Sequence, residues 1–126
     1  MKIGFKFAFK GFARLCKSEK NFRVHLLLFS LLVICSFLLG ISKIEWLIIL
    51  GLSALVISME ALNSALEKLC DKVEPKKSEE IAWIKDVAAA AVFVAALFSF
   101  VCAIIIFLPY IVDLNLKFGA QYNAIL

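Results

Sequence analysis

A stripe of acidic and amide side chains lies at the end of an apolar segment and is formed by Glu60, Asn63, Glu67 and Asp71. Successive residues of an α-helix are rotated by about 100°, so these four side chains fall within an arc of about 80°. Residues 46–59 upstream carry no charge, which places Glu60 on a helix otherwise suited to lipid. A carboxylate at a bilayer centre costs about 2.5–3.5 kcal/mol on insertion scales unless it has a partner, a cation or water. The stripe therefore predicts a site for acid–base or divalent-metal chemistry.

Phosphate chemistry suits carboxylates that lie near lysines. Mg²⁺ is usually bound by one or two carboxylates together with phosphate oxygens of the substrate. Phosphoryl transfer also needs a cation on the phosphates and a group that orients the attacking hydroxyl. By position, we expect Glu19 and Glu67 to hold the metal, Lys85 to contact the phosphates and Glu60 to act as base on a lipid hydroxyl. Neither GxxxxGK[ST] nor GxGxxG occurs in the chain, so we predict a nucleotide site of another kind.

Three apolar segments are long enough to position this site in a membrane. The chain has 126 residues and is 63% hydrophobic, which predicts one integral-membrane domain over residues 1–126. We predict spans over about 24–42, 46–70 and 87–112, since a bilayer requires about 20 apolar residues. The short turn between the first two spans predicts an antiparallel hairpin. Lys85 and Asp86 are predicted to open the third span.

The distribution of Lys and Arg predicts the orientation. Twelve of the fourteen lie before the first span, at the end of the second span or in the loop that follows, and only Lys43 and Lys117 lie on the other side. The positive-inside rule therefore places the N-terminus and the 71–86 loop in the cytoplasm. Glu60 lies about 21 Å along the helix from Trp46, which places it just below the cytoplasmic boundary. The net charge of +4 needs no nucleic-acid partner, because anionic lipid headgroups suffice.

The N-terminal segment, residues 3–20, predicts an amphipathic helix on the membrane surface. Phe5, Phe9, Phe12 and Cys16 form an apolar stripe, and basic residues gather on the opposite side. Phe7 points toward the basic side, either as an exposed aromatic at the headgroup level or as a stacking surface for a nucleotide base. Glu19 follows directly before the first span.

At these positions the chain resembles the prokaryotic diacylglycerol kinase family, which includes the undecaprenol kinases. One block is Glu60-Ala-Leu-Asn63-Ser-Ala-Leu-Glu67 with Asp71, and a second is Lys85-Asp86-Val-Ala-Ala-Ala-Ala-Val92. A third block comprises Gly11 and Glu19-Lys-Asn-Phe-Arg-Val-His25. The resemblance covers nearly the whole chain.

The resemblance implies an all-α membrane protein that forms a homotrimer of three-span subunits, each with an N-terminal surface helix. It implies transfer of the γ-phosphate of ATP, with Mg²⁺, to the hydroxyl of a membrane lipid alcohol. Matching motif positions imply that Glu60 is the catalytic base and that Glu19 and Glu67 are the metal ligands. Glu60 and Asn63 would contact the lipid substrate. The implied nucleotide contacts are Phe7, Glu19, Glu67, Asp71, Lys76, Lys77, Ser78, Lys85 and Asp86.

The acceptor lipid is left open between two candidates. The block from Asn21 to His25 is more similar to the undecaprenol kinase branch, which favours undecaprenol, and diacylglycerol is the alternative main substrate. Outside the family, a small ion-coupled transporter subunit would also account for a buried Glu60. That class does not explain why Glu19, Lys85 and Asp86 join the acidic stripe at one end.

Overall fold

Four α-helices account for nearly all of the described chain. The computed structural model of the protein describes the backbone of residues 2–125 and the side chains of residues 4–122. The helices are α1 (Lys2–Ser18), α2 (Lys20–Leu39), α3 (Lys43–Val73) and α4 (Glu79–Ile125). Met1 and Leu126, the ends of the predicted 1–126 domain, lie outside the described residues. Helices α2, α3 and α4 are each long and apolar enough to cross a bilayer, which confirms the predicted all-α membrane fold.

A single extended residue, Glu19, separates α1 from α2. Its backbone angles are φ −106° and ψ 114°, whereas both neighbours are helical. The guanidinium of Arg23 donates hydrogen bonds of 3.1 and 3.2 Å to two carbonyl oxygens in the last turn of α1. These carbonyls have no partner within α1, so Arg23 stabilises its end. The ring of Phe22, which is fully buried in α2, meets the ring of Phe12 in α1 edge-on at 5.4 Å.

Helices α2 and α3 are joined by the predicted tight turn. Gly40 ends α2 at φ +63° and ψ +45°, a left-handed conformation that glycine adopts without steric cost. The hydroxyl of Ser42 accepts a hydrogen bond from the Glu45 backbone N–H, and the Glu45 carboxylate accepts one from the Ser42 N–H. This reciprocal capping box fixes where α3 begins. The turn therefore closes the hairpin of the first two spans.

The core at this end of the molecule joins α3 to α4. Ile41, Ile49, Ala103 and Ile106 are buried together. The hydroxyl of Tyr110 in α4 donates a 2.7 Å hydrogen bond to the Glu45 carboxylate at the start of α3. The packing between α3 and α4 is also more extensive than that between any other two helices of the described chain. These contacts set the position of α4 along α3, and thereby the position of its opposite end beside the acidic stripe.

Helix α4 is longer than the 87–112 segment predicts. It begins at Glu79, so the expectation that Lys85 and Asp86 open this helix is wrong. The hydroxyl of Ser78 accepts a 3.5 Å hydrogen bond from the Ile81 N–H, and acidic residues fill the first turn, as helix N-termini favour. Lys85 and Asp86 consequently lie in the second turn of α4, on a rigid element rather than at its frayed end.

Large apolar side chains are exposed along all three long helices. Examples from α2, α3 and α4 are Phe37, Leu47 and Phe98, each more than half exposed. Such a surface has no stable arrangement in water, whereas lipid tails solvate it. The chain is a membrane protein.

Candidate active site

The acidic stripe of α3 passes from buried to exposed toward the end of the helix. Glu60 and Asn63 are buried, with 4% and 8% of their surfaces exposed. Glu67 is half-buried and Asp71 is exposed. The buried half continues the inward face of α3, because Ser53 and Val56 precede Glu60 at helical spacing and are also buried. The site therefore opens at one end and closes toward the membrane interior.

His25 of α2 faces the buried end of the stripe. Its Nε2 lies 3.9 Å from Oε2 of Glu60, and 19% of the imidazole and 5% of the carboxylate side chain are exposed. The other charges that act on Glu60, those of Glu67 and Glu19, are negative. Among the described side chains, His25 is the only basic group within 4.0 Å of the Glu60 carboxylate. The candidate base thus lies between a histidine and two carboxylates.

Glu19 reaches α3 from the corner between α1 and α2. Its Oε1 lies 2.7 Å from Nζ of Lys68 and also accepts a 2.9 Å hydrogen bond from the hydroxyl of Ser18. The hydrogen bond from Lys68 is the main cause that holds the pKa of Glu19 below its usual value, and that from Ser18 contributes in the same direction. Glu19 is thereby kept ionised at neutral pH. Although remote in sequence, it belongs to the same cluster as Glu60 and Glu67.

Lys85 of α4 pairs with Asp71 of α3 at the open end. The ion pair connects the two helices whose packing defines the site. Lys85 is half-buried, whereas Asp86 beside it is exposed. The predicted phosphate-contacting lysine therefore lies beside the stripe.

Asn63 and Glu67 carry oxygen atoms of the kind that bind Mg²⁺. The Asn63 amide nitrogen donates a 3.1 Å hydrogen bond to Oε1 of Glu67, and its amide oxygen is buried without a hydrogen-bond partner. A buried unpaired amide oxygen is costly, and a cation or donor at that point would remove the cost. Within the described residues, no three His, Cys, Asp or Glu side chains converge on one point. Mg²⁺ usually takes one or two protein carboxylates and completes its shell with water and phosphate oxygens.

The remaining predicted nucleotide contacts lie at the periphery. Phe7 is 63% exposed on α1. Lys76 and Lys77 are exposed in the loop between α3 and α4, while the hydroxyl of Ser78 caps α4. The structure brings Glu19, Glu60, Asn63, Glu67, Asp71 and Lys85 together but leaves these outer residues without contact to the cluster.

An apolar cavity of about 510 Å³ lies between α2, α3 and α4. His25 lines one end of it, and Phe107, Leu108 and Ile111 line the other. The lining is apolar apart from His25, two serines and a cysteine. A long hydrocarbon chain fits such a cavity, and the imidazole at its end is the residue that contacts Glu60.

Two contacts of the cluster were not predicted from the sequence. His25 and Lys68 are the basic residues that face Glu60 and Glu19, respectively. The sequence offers one signal for His25, since it is the only His, Lys, Arg, Asp or Glu within the predicted first span. Lys68 offered none beyond its position next to Glu67.

A buried carboxylate next to a histidine of the cavity wall, with lysine–carboxylate pairs further along the same membrane helix bundle, indicates a class of enzymes that act on lipids and phosphate. The family model of prokaryotic diacylglycerol kinase matches residues 6–107. The chain belongs to the prokaryotic diacylglycerol kinase family, and it is a lipid kinase. This finding removes the basis for the transporter alternative.

Several relatives within this family are similar over most of their length. The undecaprenol kinase of Bacillus subtilis (strain 168) is 37% identical over 105 residues, which cover 83% of this chain and 85% of that protein. The diacylglycerol kinase of Haemophilus influenzae is 33% identical over 90 residues, covering 71% of this chain and 76% of that protein. The diacylglycerol kinase of Synechocystis sp. is 30% identical over 113 residues, covering 89% and 65%. Relatives with both kinds of acceptor lipid are therefore similar to this chain.

Proposed function

We propose that this protein transfers the γ-phosphate of ATP to the hydroxyl of undecaprenol at the cytoplasmic face of a bacterial inner membrane. The observation that carries the proposal is the buried carboxylate of Glu60, which lies 3.9 Å from His25, a residue that lines one end of the apolar cavity. A lipid whose chain occupies the cavity brings its terminal hydroxyl to this carboxylate. Diacylglycerol is the alternative acceptor.

In the proposed reaction Glu60 accepts the proton of the lipid hydroxyl as the oxygen attacks the γ-phosphorus. A P–O bond to the lipid forms, the bond between the γ-phosphorus and its bridging oxygen breaks, and ADP leaves. Positioning and charge stabilisation supply most of the catalysis in such transfers. Lys85, next to Asp71, exchanges its carboxylate partner for phosphate oxygens when the nucleotide binds. Phe7, Lys76, Lys77, Ser78 and Asp86 form the outer part of the nucleotide site.

Glu19 and Glu67 are the proposed holders of Mg²⁺, and Asn63, whose amide nitrogen donates a hydrogen bond to Glu67, is proposed to contact the lipid substrate. The ion supplies positive charge to the phosphates of the nucleotide when it is bound. Lys68 and Ser18 both contact Oε1 of Glu19, so we propose that Oε2 binds the ion while the pairing with Lys68 is kept.

The proposed membrane arrangement follows from the charges and the apolar surfaces. Twelve of fourteen Lys and Arg residues lie at the end that holds the acidic stripe, which favours the cytoplasmic side. Helix α1 exposes Phe5 and Phe9 along one side and is proposed to lie on the membrane surface. The family resemblance supports assembly as a homotrimer.

The chemistry of the cavity favours undecaprenol over diacylglycerol. Undecaprenol presents a hydrocarbon chain and one terminal hydroxyl, whereas diacylglycerol carries two ester groups near its hydroxyl. The cavity supplies few donors for those esters, because its lining is apolar except for His25, two serines and a cysteine. Unpaired esters in such an environment reduce binding.

The test is the rate of ATP turnover by the purified protein in one detergent, with each lipid at equal mole fraction. We expect turnover to require an added lipid alcohol, and kcat/KM to be higher for undecaprenol. Lipid-independent hydrolysis at the same rate would refute the acceptor role of the lipid. A tenfold or greater preference for diacylglycerol would refute the proposed substrate while leaving the kinase activity intact.

A further inference from the structure

We propose that His25 is a positioning residue that holds the Glu60 carboxylate toward the end of the apolar cavity. The inference rests on the proposed function, because it assigns His25 a task only if Glu60 is the base. It identifies a group on α2 that sets the geometry of a reaction whose base lies on α3.

The surroundings of Glu60 leave its carboxylate poorly fixed without His25. It is almost fully buried, and the described side chains make no hydrogen bond shorter than 3.5 Å to it. The negative charges of Glu67 and Glu19 repel it from the open end of the stripe. His25 is the group that attracts it in the opposite direction, toward the cavity.

The 3.9 Å separation suits a contact that tightens on substrate binding. It exceeds the range of a hydrogen bond, which is about 2.7–3.2 Å for N–H···O. Catalytic hydrogen bonds are often long in the absence of substrate and shorten in the reacting complex. A lipid hydroxyl beside Glu60 displaces solvent from this end of the cavity, which strengthens the attraction between imidazole and carboxylate.

His25 is located where it can act on both the lipid substrate and the Glu60 carboxylate. It lies on the cavity wall in α2, and Phe29 lies one turn further along the same wall. A lipid chain in the cavity therefore contacts the same helix that restrains the base. Any rotation of α2 against α3 changes the distance between the hydroxyl and Glu60, and a misplacement of about 1 Å can cost roughly 10²-fold in rate.

The experiment compares His25→Gln, His25→Asn and His25→Leu with Phe29→Leu as the matched change in cavity lining. The Gln amide nitrogen reaches approximately the position of Nε2, whereas the shorter Asn reaches only that of Nδ1. We expect His25→Leu and His25→Asn to lower kcat about 10–100-fold, with the KM for ATP within twofold of wild type. In His25→Gln the decrease in log kcat should be at most two thirds of that in His25→Asn. Phe29→Leu should raise the KM for lipid and keep kcat.

Two outcomes overturn the positioning role. Equal kcat for His25→Gln and His25→Asn would show that the donor at the Nε2 position does not act on Glu60. A change confined to the lipid KM, as in Phe29→Leu, would make His25 part of the cavity wall only. Because Gln and Asn differ by one methylene and carry the same amide, their comparison remains valid even if His25→Leu does not fold.

Glu60→Gln, measured alongside, separates this inference from the proposed function. An active Glu60→Gln variant would refute the base itself, and with it the task of His25. An inactive Glu60→Gln together with fully active His25 variants would refute positioning by His25 and leave the base role standing.

Discussion

Replacing Glu60 with Gln removes the charge of the proposed base and almost nothing else. The two side chains have nearly the same shape, and Glu60 is 96% buried, so the packing around it is retained. If the carboxylate accepts the lipid proton, its loss should lower kcat by about 10²–10⁴-fold, the range for a positioned base. That range corresponds to about 2.7–5.4 kcal/mol of activation free energy. ATP binding should persist, since Glu60 lies at the buried end of the stripe, away from Lys85.

The same substitution has a predictable effect on stability. The carboxylate is buried near two other acidic groups, and its nearest basic group, His25, is 3.9 Å away. Desolvating a charge with such weak compensation opposes folding. We therefore expect the midpoint of thermal unfolding of Glu60→Gln to be equal to or higher than that of wild type. Lost activity combined with retained or increased stability is the signature that distinguishes a functional carboxylate from a structural one.

The assay is ATP consumption in mixed micelles with undecaprenol, together with binding of a nucleotide analogue and thermal unfolding of the same sample. Glu80→Gln is the matched control, because this carboxylate is exposed in the first turn of α4. We expect wild-type rates for the control. A Glu60→Gln enzyme that keeps more than a tenth of wild-type kcat would refute the role of Glu60 as base.

Three further outcomes follow from the site and from the opposite end of the bundle. Glu67→Ala and Glu19→Ala should each raise the Mg²⁺ concentration for half-maximal activity, by about tenfold for each 1.4 kcal/mol of lost ion binding. Lys68→Met should remove a stability contribution that depends on pH. Because the pKa of Glu19 is lowered in the folded protein, its pairing with Lys68 stabilises the fold above the ordinary Glu range and is lost as the pH falls through the lowered value. The thermal midpoint of wild type should thus fall slightly more on acidification than that of Lys68→Met, since an exposed ion pair contributes little to stability. Tyr110→Phe should lower the thermal midpoint by a few degrees with little change in kcat, whereas Tyr122→Phe, which removes an exposed hydroxyl, should not.

Each of these outcomes has a clear contrary result. An unchanged Mg²⁺ titration of Glu19→Ala would leave Glu19 as a partner of Lys68 and nothing more. Equal acid sensitivity of Lys68→Met and wild type would show that the ion pair does not contribute to stability in solution. A loss of kcat in Tyr110→Phe at full stability would mean that the distant end of α4 affects the chemistry directly.

The sequence predicts the parts of this molecule that depend on one helix at a time. Three apolar segments gave the spans, and a rotation of about 100° per residue placed Glu60, Asn63 and Glu67 on one face, as the structure has them. The contacts between helices cannot be predicted in this way. The pairing of His25 with Glu60 depends on how α2 is rotated against α3, and the pairing of Lys68 with Glu19 depends on the corner at residue 19. The periodicity of a single sequence determines neither the rotation of α2 against α3 nor the direction of the chain at residue 19. The start of α4 differs from the sequence prediction because the hydroxyl of Ser78 caps the helix, which lets it begin before the uncharged segment.

The corner at Glu19 makes this protein more sensitive to insertions and deletions than to many substitutions. Were residue 19 helical, α1 and α2 would join into one rod of about 57 Å, and its carboxylate would no longer reach Lys68. Adding or removing one residue between the corner and Arg23 would turn the guanidinium by about 100° away from the carbonyls it caps. We therefore expect related chains to vary in residue type along α1 while keeping the number of residues from the corner to this arginine.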